Sequence, residues 1–119
     1  MRRQLWGNVA AWLLAAFFFV GAFGNTFVST QIADDYARWG LPENFHYLTA
    51  CLECTTSVML ILKPLRLYGS LLGGAVMLAA AGTVASHGEY AHAVLPLVVL
   101  GVCVFVAVLT GRSKRSLQQ

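Results

Sequence analysis

Charged residues are scarce in this sequence and unevenly spread along it. Only 11% of its 119 residues are charged, whereas 58% are hydrophobic. No Asp, Glu, Lys or Arg occurs between Arg3 and Asp34, and Glu53 is the single acidic residue between Phe45 and Leu62. This composition excludes an ordinary soluble domain, whose surface is rich in charged residues, and is typical of an integral membrane protein.

Motifs of common enzymes are also missing. The sequence has no Gly-rich phosphate-binding loop, no nucleophilic triad and no haem-attachment motif. We therefore expect no independent catalysis, which leaves open a role as an accessory subunit of an enzyme. The net charge of +3 does not indicate a nucleic-acid partner, because the basic residues lie in the loops and termini between apolar stretches and form no basic patch of a soluble domain.

The three cysteines all fall in apolar stretches, so they do not indicate a disulfide framework. Cys51 and Cys54 have the spacing of a redox pair, but reactive pairs lie at a helix start beside cations. Here the pair lies inside an apolar stretch, with Glu53 between the two thiols. We interpret both, like Cys103, as packing residues, with a redox role as the alternative.

Long apolar stretches fill most of the chain. About 20 apolar residues form one membrane-spanning helix, and four such stretches predict helices over residues 5–28, 42–62, 67–86 and 93–110. The first is too long for a signal-peptide core and has no small-residue cleavage site, so we expect it to be retained. The predicted fold class is a single all-α domain over residues 1–119, an up-down bundle of four transmembrane helices.

The distribution of Lys and Arg predicts the orientation of this bundle. Every Lys and Arg except Arg38 falls on one side of the four-span arrangement, which the positive-inside rule makes cytoplasmic. These residues are Arg2, Arg3, Lys63, Arg66, Arg112, Lys114 and Arg115. The acidic loop residues on the other side are Asp34, Asp35, Glu43 and Glu89. We therefore expect cytoplasmic N and C termini and a location in the inner or plasma membrane.

The second span carries a polar stripe that indicates a functional site. Polar side chains recur there at helical spacing and must share a face that points into the bundle. They are His46, Thr49, Glu53, Thr56 and Ser57. A charged group at the middle of a span costs about 2.5–3.5 kcal/mol to insert. Glu53 therefore needs a partner inside the protein.

We predict an outward-facing polar cavity that binds an apolar ligand with a polar head. Glu53 forms its floor, as a proton acceptor or as a hydrogen-bond anchor. The predicted ligand-binding residues are Glu53, His46, Thr49, Asn25 and His87. The alternative is that Glu53 is a structural hydrogen-bond staple between helices. No metal site is predicted, because the spacing of His87, Glu89 and His92 matches no strict ligand motif.

The connections between the spans carry further signals. Residues 32–39 predict a short interfacial helix, and Pro42 is expected to begin the second span. The pair Gly69 and Gly73 predicts close packing of two backbones, within the chain or, as the alternative, between copies in a homo-oligomer. Pro96 is expected in the first turn of the fourth span, where proline is tolerated.

Several of these segments resemble the DoxX family of small bacterial membrane proteins, over about residues 19–108. The resemblance is carried by Gly21–Asn25, Tyr36–Ala37, Gly40–Pro42 with Phe45, Leu48–Ala50 with Glu53, Pro64–Gly69, Met77–Thr83 and His87. It implies a four-helix membrane protein in which Glu53 is the family's second-helix glutamate. Many members carry a lysine where Asn25 stands, so the resemblance implies no ion pair with Glu53 here. Cys51 and Cys54 replace the Gly, Leu or Ala usual at those positions.

The resemblance also implies a class of function. The family's namesake resembles a subunit of a thiosulfate:quinone oxidoreductase, and other members accompany soluble redox enzymes. The resemblance thus implies a membrane subunit linked to a quinone-type redox system. A quinone or a lipid is then the expected ligand. A membrane or soluble redox protein is the expected partner besides the lipid bilayer. Two alternatives are open: a scaffold or chaperone-like binding protein without chemistry of its own, and a small proton-coupled transporter.

Overall fold

The computed structural model describes residues 2–118, and all regular structure in that range is helical, as predicted. The α-helices are α1 (Arg2–Thr26), α2 (Thr30–Arg38), α3 (Phe45–Ile61), α4 (Arg66–Ser86) and α5 (Tyr90–Gln118). A 3-10 turn over Lys63–Leu65 separates α3 from α4. The side chains of Arg3 and of residues 113–118, including the basic positions Lys114 and Arg115, lie outside the described part.

Three segments of the described chain are long and apolar enough to cross a membrane. They are Gln4–Thr26, Lys63–Ser86 and Tyr90–Arg112. The apolar helix α3 has only 17 residues, and at 1.5 Å per residue it is about 25 Å long, against a hydrocarbon core of about 30 Å. Large apolar side chains cover the outer faces of the helices, where Leu13 and Val20 are more than half exposed. A lipid bilayer would cover such a surface.

Consecutive long helices run in opposite directions. At one end of the molecule, Asn8 of α1 accepts a hydrogen bond from Arg66 at the start of α4, at 2.7 Å. At the other end, the Asn25 carbonyl of α1 lies 2.7 Å from His46 Nδ1 at the start of α3. We call this second end, which also holds α2 and the turn between α4 and α5, the α2 end. Each of the four long helices packs against two of the others, in the order α1, α3, α4, α5 and back to α1.

Glycines in α4 allow the close packing that their spacing predicts. A Cβ atom on Gly69 would lie 2.8 Å from the Met59 Cβ, and one on Gly73 would lie 2.9 Å from the Phe18 ring. Real Cβ atoms essentially never come this close, so a side chain at Gly69 would have to displace the backbone of α3, and one at Gly73 would have to displace the buried Phe18 ring. These contacts lie within one chain and need no second copy.

The core is built from small and apolar side chains of all four long helices. The largest fully buried side chains are Phe18, Leu60, Val106, Thr56, Cys103 and Ser70. Cys103 is 1% exposed, which confirms that it is a packing residue. Cys51 and Cys54 are exposed, so the prediction that they pack inside the protein is wrong. They lie on the face of α3 that turns away from its buried residues.

The connection between α1 and α3 contains the predicted short helix but starts α3 later than expected. Ser29 caps α2, its Oγ accepting a hydrogen bond from the Ile32 amide at 3.2 Å. Gly40 then takes a φ of +74°, which favours glycine. Pro42 opens a further turn, in which the Phe45 amide donates to its carbonyl at 3.0 Å. The helix therefore begins at Phe45, and the prediction that Pro42 begins it is wrong.

The last helix is longer than predicted at both ends. It begins at Tyr90, directly after Gly88 with a φ of +75°, and its backbone continues to Gln118. Pro96 therefore lies inside α5 and not in its first turn. Because proline has no N–H, the His92 carbonyl has no donor four residues further on. The basic tail extends the helix, since Lys and Arg are good helix formers.

Gly69→Ala tests the close contact between α3 and α4. The added methyl group must displace Met59 and the backbone at Leu60, and overpacking of this kind costs about 1–3 kcal/mol. We expect a lower melting temperature in thermal unfolding of the purified protein in detergent. Gly82→Ala is the matched control, because a Cβ atom there meets nothing within 4 Å. Equal melting temperatures for the two variants would contradict the contact.

Candidate functional site

Glu53 is a buried carboxylate on the face of α3 that packs against α1. Only 5% of the residue is exposed. The absence of a side chain at Gly21 provides the space, because a Cβ atom there would overlap Glu53 Oε2. A carboxylate in such a position loses its hydration and needs hydrogen-bond donors from the protein.

Asn25 supplies that donor and connects three helices. Its Nδ2 donates to Glu53 Oε1 at 2.6 Å and to the Gly21 carbonyl at 3.0 Å. Its Oδ1 accepts a hydrogen bond of 2.6 Å from the Tyr36 hydroxyl of α2. Its main-chain carbonyl accepts from His46 Nδ1 of α3 at 2.7 Å. We call Tyr36, Asn25, Glu53 and His46 the Asn25 network.

The chemistry of the partners fixes the direction of each hydrogen bond in this network. The Gly21 carbonyl can only accept, so the amide nitrogen of Asn25 must face it, and Oδ1 must face Tyr36. Burial raises the pKa of the Tyr36 hydroxyl, which therefore stays protonated as a donor. Glu53 thus receives a neutral N–H donor where a lysine would provide a charge.

A cavity of about 580 Å³ lies next to this network and opens at the α2 end. It extends between α3, α4 and α5 to Val76, midway along α4. Its polar lining residues lie towards α2 and are Asp35, Tyr36, Trp39, Thr49, Thr83 and His92. Its other lining residues are Leu41, Phe45, Leu52, Val76, Ala79, Ala80, Val84, Ala91, Leu95 and Pro96. A cavity of this size and lining suits an apolar small molecule.

The structure brings together only part of the predicted binding residues. Glu53, His46 and Asn25 meet in the Asn25 network, and Thr49 lines the cavity. Glu53 is not among the lining residues, so the expectation that it forms the floor of this cavity is wrong. It lies one residue beyond Leu52, about 100° further around α3, and therefore faces α1 and not the cavity.

His87 lies apart from the other predicted binding residues. It caps α4 at the surface, where its Nδ1 donates to the Thr83 carbonyl at 2.8 Å. The side chains of His92 and Glu89 do approach each other, at 3.4 Å. Among residues 2–118, however, no group of three or more His, Cys, Asp or Glu side chains is placed to hold a metal ion.

Tyr36 is a site residue that sequence reasoning placed only at the membrane surface. It lines the cavity and also donates to Asn25, so it connects the cavity to the buried carboxylate through two hydrogen bonds. The sequence did indicate that Tyr36 belongs to a short helix, predicted over residues 32–39. The position of that helix over the bundle could not be read from its own residues.

Ionic and aromatic side chains surround the opening of the cavity. Arg38 donates to Glu89 at 2.6 Å and to Asp35 at 2.9 Å, and Trp39 Nε1 donates to Glu89 at 2.5 Å. We call Asp35, Arg38, Trp39, Glu89 and His92 the mouth cluster. The hydrogen bonds from Arg38 and Trp39 hold the pKa of the Glu89 carboxyl below its ordinary value. The hydrogen bonds of Arg38 to Glu89 and Asp35 raise the pKa of its guanidinium. The cluster ties α2 to the start of α5.

Comparison with known protein families gives a match over most of the chain. A model of the DoxX-like family matches residues 9–106, which include every residue of the cavity, the Asn25 network and the mouth cluster. No curated protein and no solved structure matches the chain. With three helices of membrane-spanning length and composition, the chain is a multi-pass membrane protein. Because the match covers most of its length, the protein belongs to the DoxX-like family.

Proposed function

We propose that this protein binds an apolar molecule with a polar head in the cavity at the α2 end. The observation that carries the proposal is that the lining of the cavity changes from apolar in its deep part to polar near α2. Leu52, Val76 and Ala80 surround its deep part, while Tyr36 and Thr49 provide hydroxyl groups nearer to α2. Apolar pockets with a few well-placed polar groups are the usual form of a small-molecule site.

The ligand reaches the cavity sideways from the membrane. Leu95 lines the cavity and is 60% exposed, and Ala79 on the facing helix is also exposed. The part of the cavity wall formed by Leu95 of α5 and Ala79 of α4 is therefore accessible from the outer surface of the bundle to molecules dissolved in the bilayer. A quinone or a lipid is such a molecule, and the family resemblance makes a membrane subunit of a quinone-type redox system the function we infer.

Glu53 acts in this proposal through its neighbours. Its carboxylate anchors the Asn25 amide, and Asn25 in turn orients the Tyr36 hydroxyl at the wall of the cavity. Tyr36 thus has a fixed position where it can meet the polar head of a ligand. The buried carboxylate is a positioning residue for the site.

The second candidate is a scaffold that holds a partner protein and carries no ligand. It is favoured by the same hydrogen bonds, since Glu53 and Asn25 connect α1, α2 and α3 whether or not the cavity is filled. The two functions differ in what the protein retains when it is extracted gently from its membrane.

We also propose that all four long helices span the membrane, with both termini in the cytoplasm and the α2 end outside. The 17 residues of α3 are at the lower limit for a span, and the bilayer can thin to match it. The positive-inside rule supports the orientation, because Arg38 is the one Lys or Arg at the α2 end.

Filling the cavity tests the proposed binding. Ala80→Phe places a ring in the cavity, so we expect native mass spectrometry to show loss of a small molecule that the unmodified protein retains from its own membranes. Ala75→Phe is the matched control, because Ala75 lies exposed on the same helix outside the cavity lining. Retention of a partner protein with no small molecule would favour the scaffold. Equal retention of the molecule by both variants would place its site elsewhere.

Reporter fusions test the topology. With four spans, green fluorescent protein fused after Gln119 fluoresces, and alkaline phosphatase fused after Glu89 is active because the α2 end faces outside. If α3 does not span, three spans place the two termini on opposite sides. The Gln119 fusion and an N-terminal fusion would then report different compartments, which would contradict the proposed topology.

A further inference from the structure

We infer that the head of the ligand is cationic, so that the cavity takes an amphiphile with an ammonium-type head and an apolar tail. This inference rests on the proposed function, because it assumes that the cavity holds the apolar tail. It goes further by assigning the charge of the head, and between the two ligand classes named above it selects a lipid-like amphiphile over a quinone, whose head is uncharged.

The first argument is the excess of negative charge around the mouth cluster. At the α2 end the carboxylates are Asp34, Asp35, Glu43 and Glu89. Arg38 is the one Lys or Arg there, and its single charge is shared between Asp35 and Glu89. Apart from His92, whose Nδ1 lies 3.4 Å from Glu89 Oε1, the group of Asp35, Arg38 and Glu89 has one negative charge in excess beside the cavity that Asp35 lines. Such a charge attracts a cation and repels an anion, and more strongly at the membrane boundary than in water.

The second argument is the set of aromatic rings in the same part of the lining. Tyr36 lies with its ring centroid 5.9 Å from that of Trp39 and 6.3 Å from that of Phe45, and all three residues line the cavity. Aromatic groups of this kind bind ammonium ions through their electron-rich faces. Trp39 already takes part in one such contact, because the Arg38 guanidinium carbon lies 5.5 Å from its ring centroid.

The third argument is that the polar lining offers acceptors more than donors. The Tyr36 hydroxyl donates to Asn25, and the Thr83 hydroxyl donates to the Ala79 carbonyl at 2.8 Å. The Thr83 oxygen therefore presents lone pairs to a further partner, and the Tyr36 oxygen, which also hydrogen-bonds the Thr49 side chain, keeps one. Pro96 has no N–H and leaves the His92 carbonyl without its usual helix donor. An anionic head needs donors, whereas an ammonium head needs acceptors and ring faces.

Quenching of Trp39 fluorescence tests the charge of the head directly. The full chain with Trp6→Phe and Trp12→Phe keeps Trp39 as its reporter, in neutral maltoside micelles. The probes are amphiphiles with the same brominated alkyl tail and a trimethylammonium, a hydroxyl or a sulfate head. A second protein, with Trp6→Phe and Trp39→Phe, keeps Trp12 on α1 and reports how strongly each probe enters the micelle.

Relative to Trp12, we expect the ammonium probe to quench Trp39 at a concentration roughly tenfold lower than the sulfate probe, with the alcohol between them. Asp35→Asn should reduce that advantage several-fold, because Asp35 lines the cavity. Asp34→Asn is the matched control, since it removes the same charge from the same helix at a position outside the lining.

The outcomes separate this inference from the function on which it rests. Quenching of Trp39 by all three probes at equal concentrations, or most strongly by the sulfate, would overturn the cationic head and leave binding in the cavity intact. An unchanged preference in Asp35→Asn would also overturn it. If no probe quenches Trp39 more than Trp12, the cavity binds none of these amphiphiles and the cationic head is overturned; the proposed function fails as well if Ala80→Phe and Ala75→Phe then retain a small molecule equally.

Discussion

The hydrogen bond from Asn25 to the buried Glu53 carboxylate determines how three helices meet at the α2 end. A carboxylate in an apolar span is costly without a donor, and here the donor is an uncharged amide at 2.6 Å. The amide is itself fixed by Tyr36 and by the Gly21 carbonyl. If Glu53, Asn25 or Tyr36 moved, a buried polar atom of its neighbour would lose its hydrogen-bond partner.

The hydrogen bond between Glu53 and Asn25 gives α3 two faces with different roles. Glu53 faces α1, over the space left by Gly21, and holds the helices together. Thr49 and Leu52 face the cavity between α3, α4 and α5. Tyr36 belongs to both sides, because its hydroxyl is bonded to the network and the residue lines the cavity. A structural staple and a binding site can therefore share one carboxylate.

Composition and helical spacing predict most of the fold, because they act locally. Arg66–Ser86 was predicted almost to the residue, since Pro64 ends one apolar run and Gly88 follows the next. The close packing at Gly69 was also predicted from spacing alone. The start of α3 was not, because the turn after Gly40 overrides the preference of Pro42 for a first helical turn.

The site was predicted only in part, because only some of its contacts follow from the local sequence. The cost of a carboxylate in a membrane span identifies Glu53 and requires a nearby donor, which made Asn25 a candidate. The polar stripe of α3, however, is wider than one contact face, so spacing could not decide whether Glu53 faces α1 or the cavity. Tyr36 and Glu89 join the site through contacts between residues far apart in the chain, and no local pattern reports those.

The most direct test of the Asn25 network is a double-mutant cycle on the free energy of unfolding in detergent. Tyr36→Phe and Glu53→Leu remove groups that do not touch but share Asn25. We expect the double variant to be less destabilised than the sum of the single variants by at least about 0.5 kcal/mol. Glu53→Leu with Glu89→Gln, which share no hydrogen-bond partner, should be additive. Additivity of the Tyr36 and Glu53 changes as well would mean that the carboxylate does not position the tyrosine at the cavity.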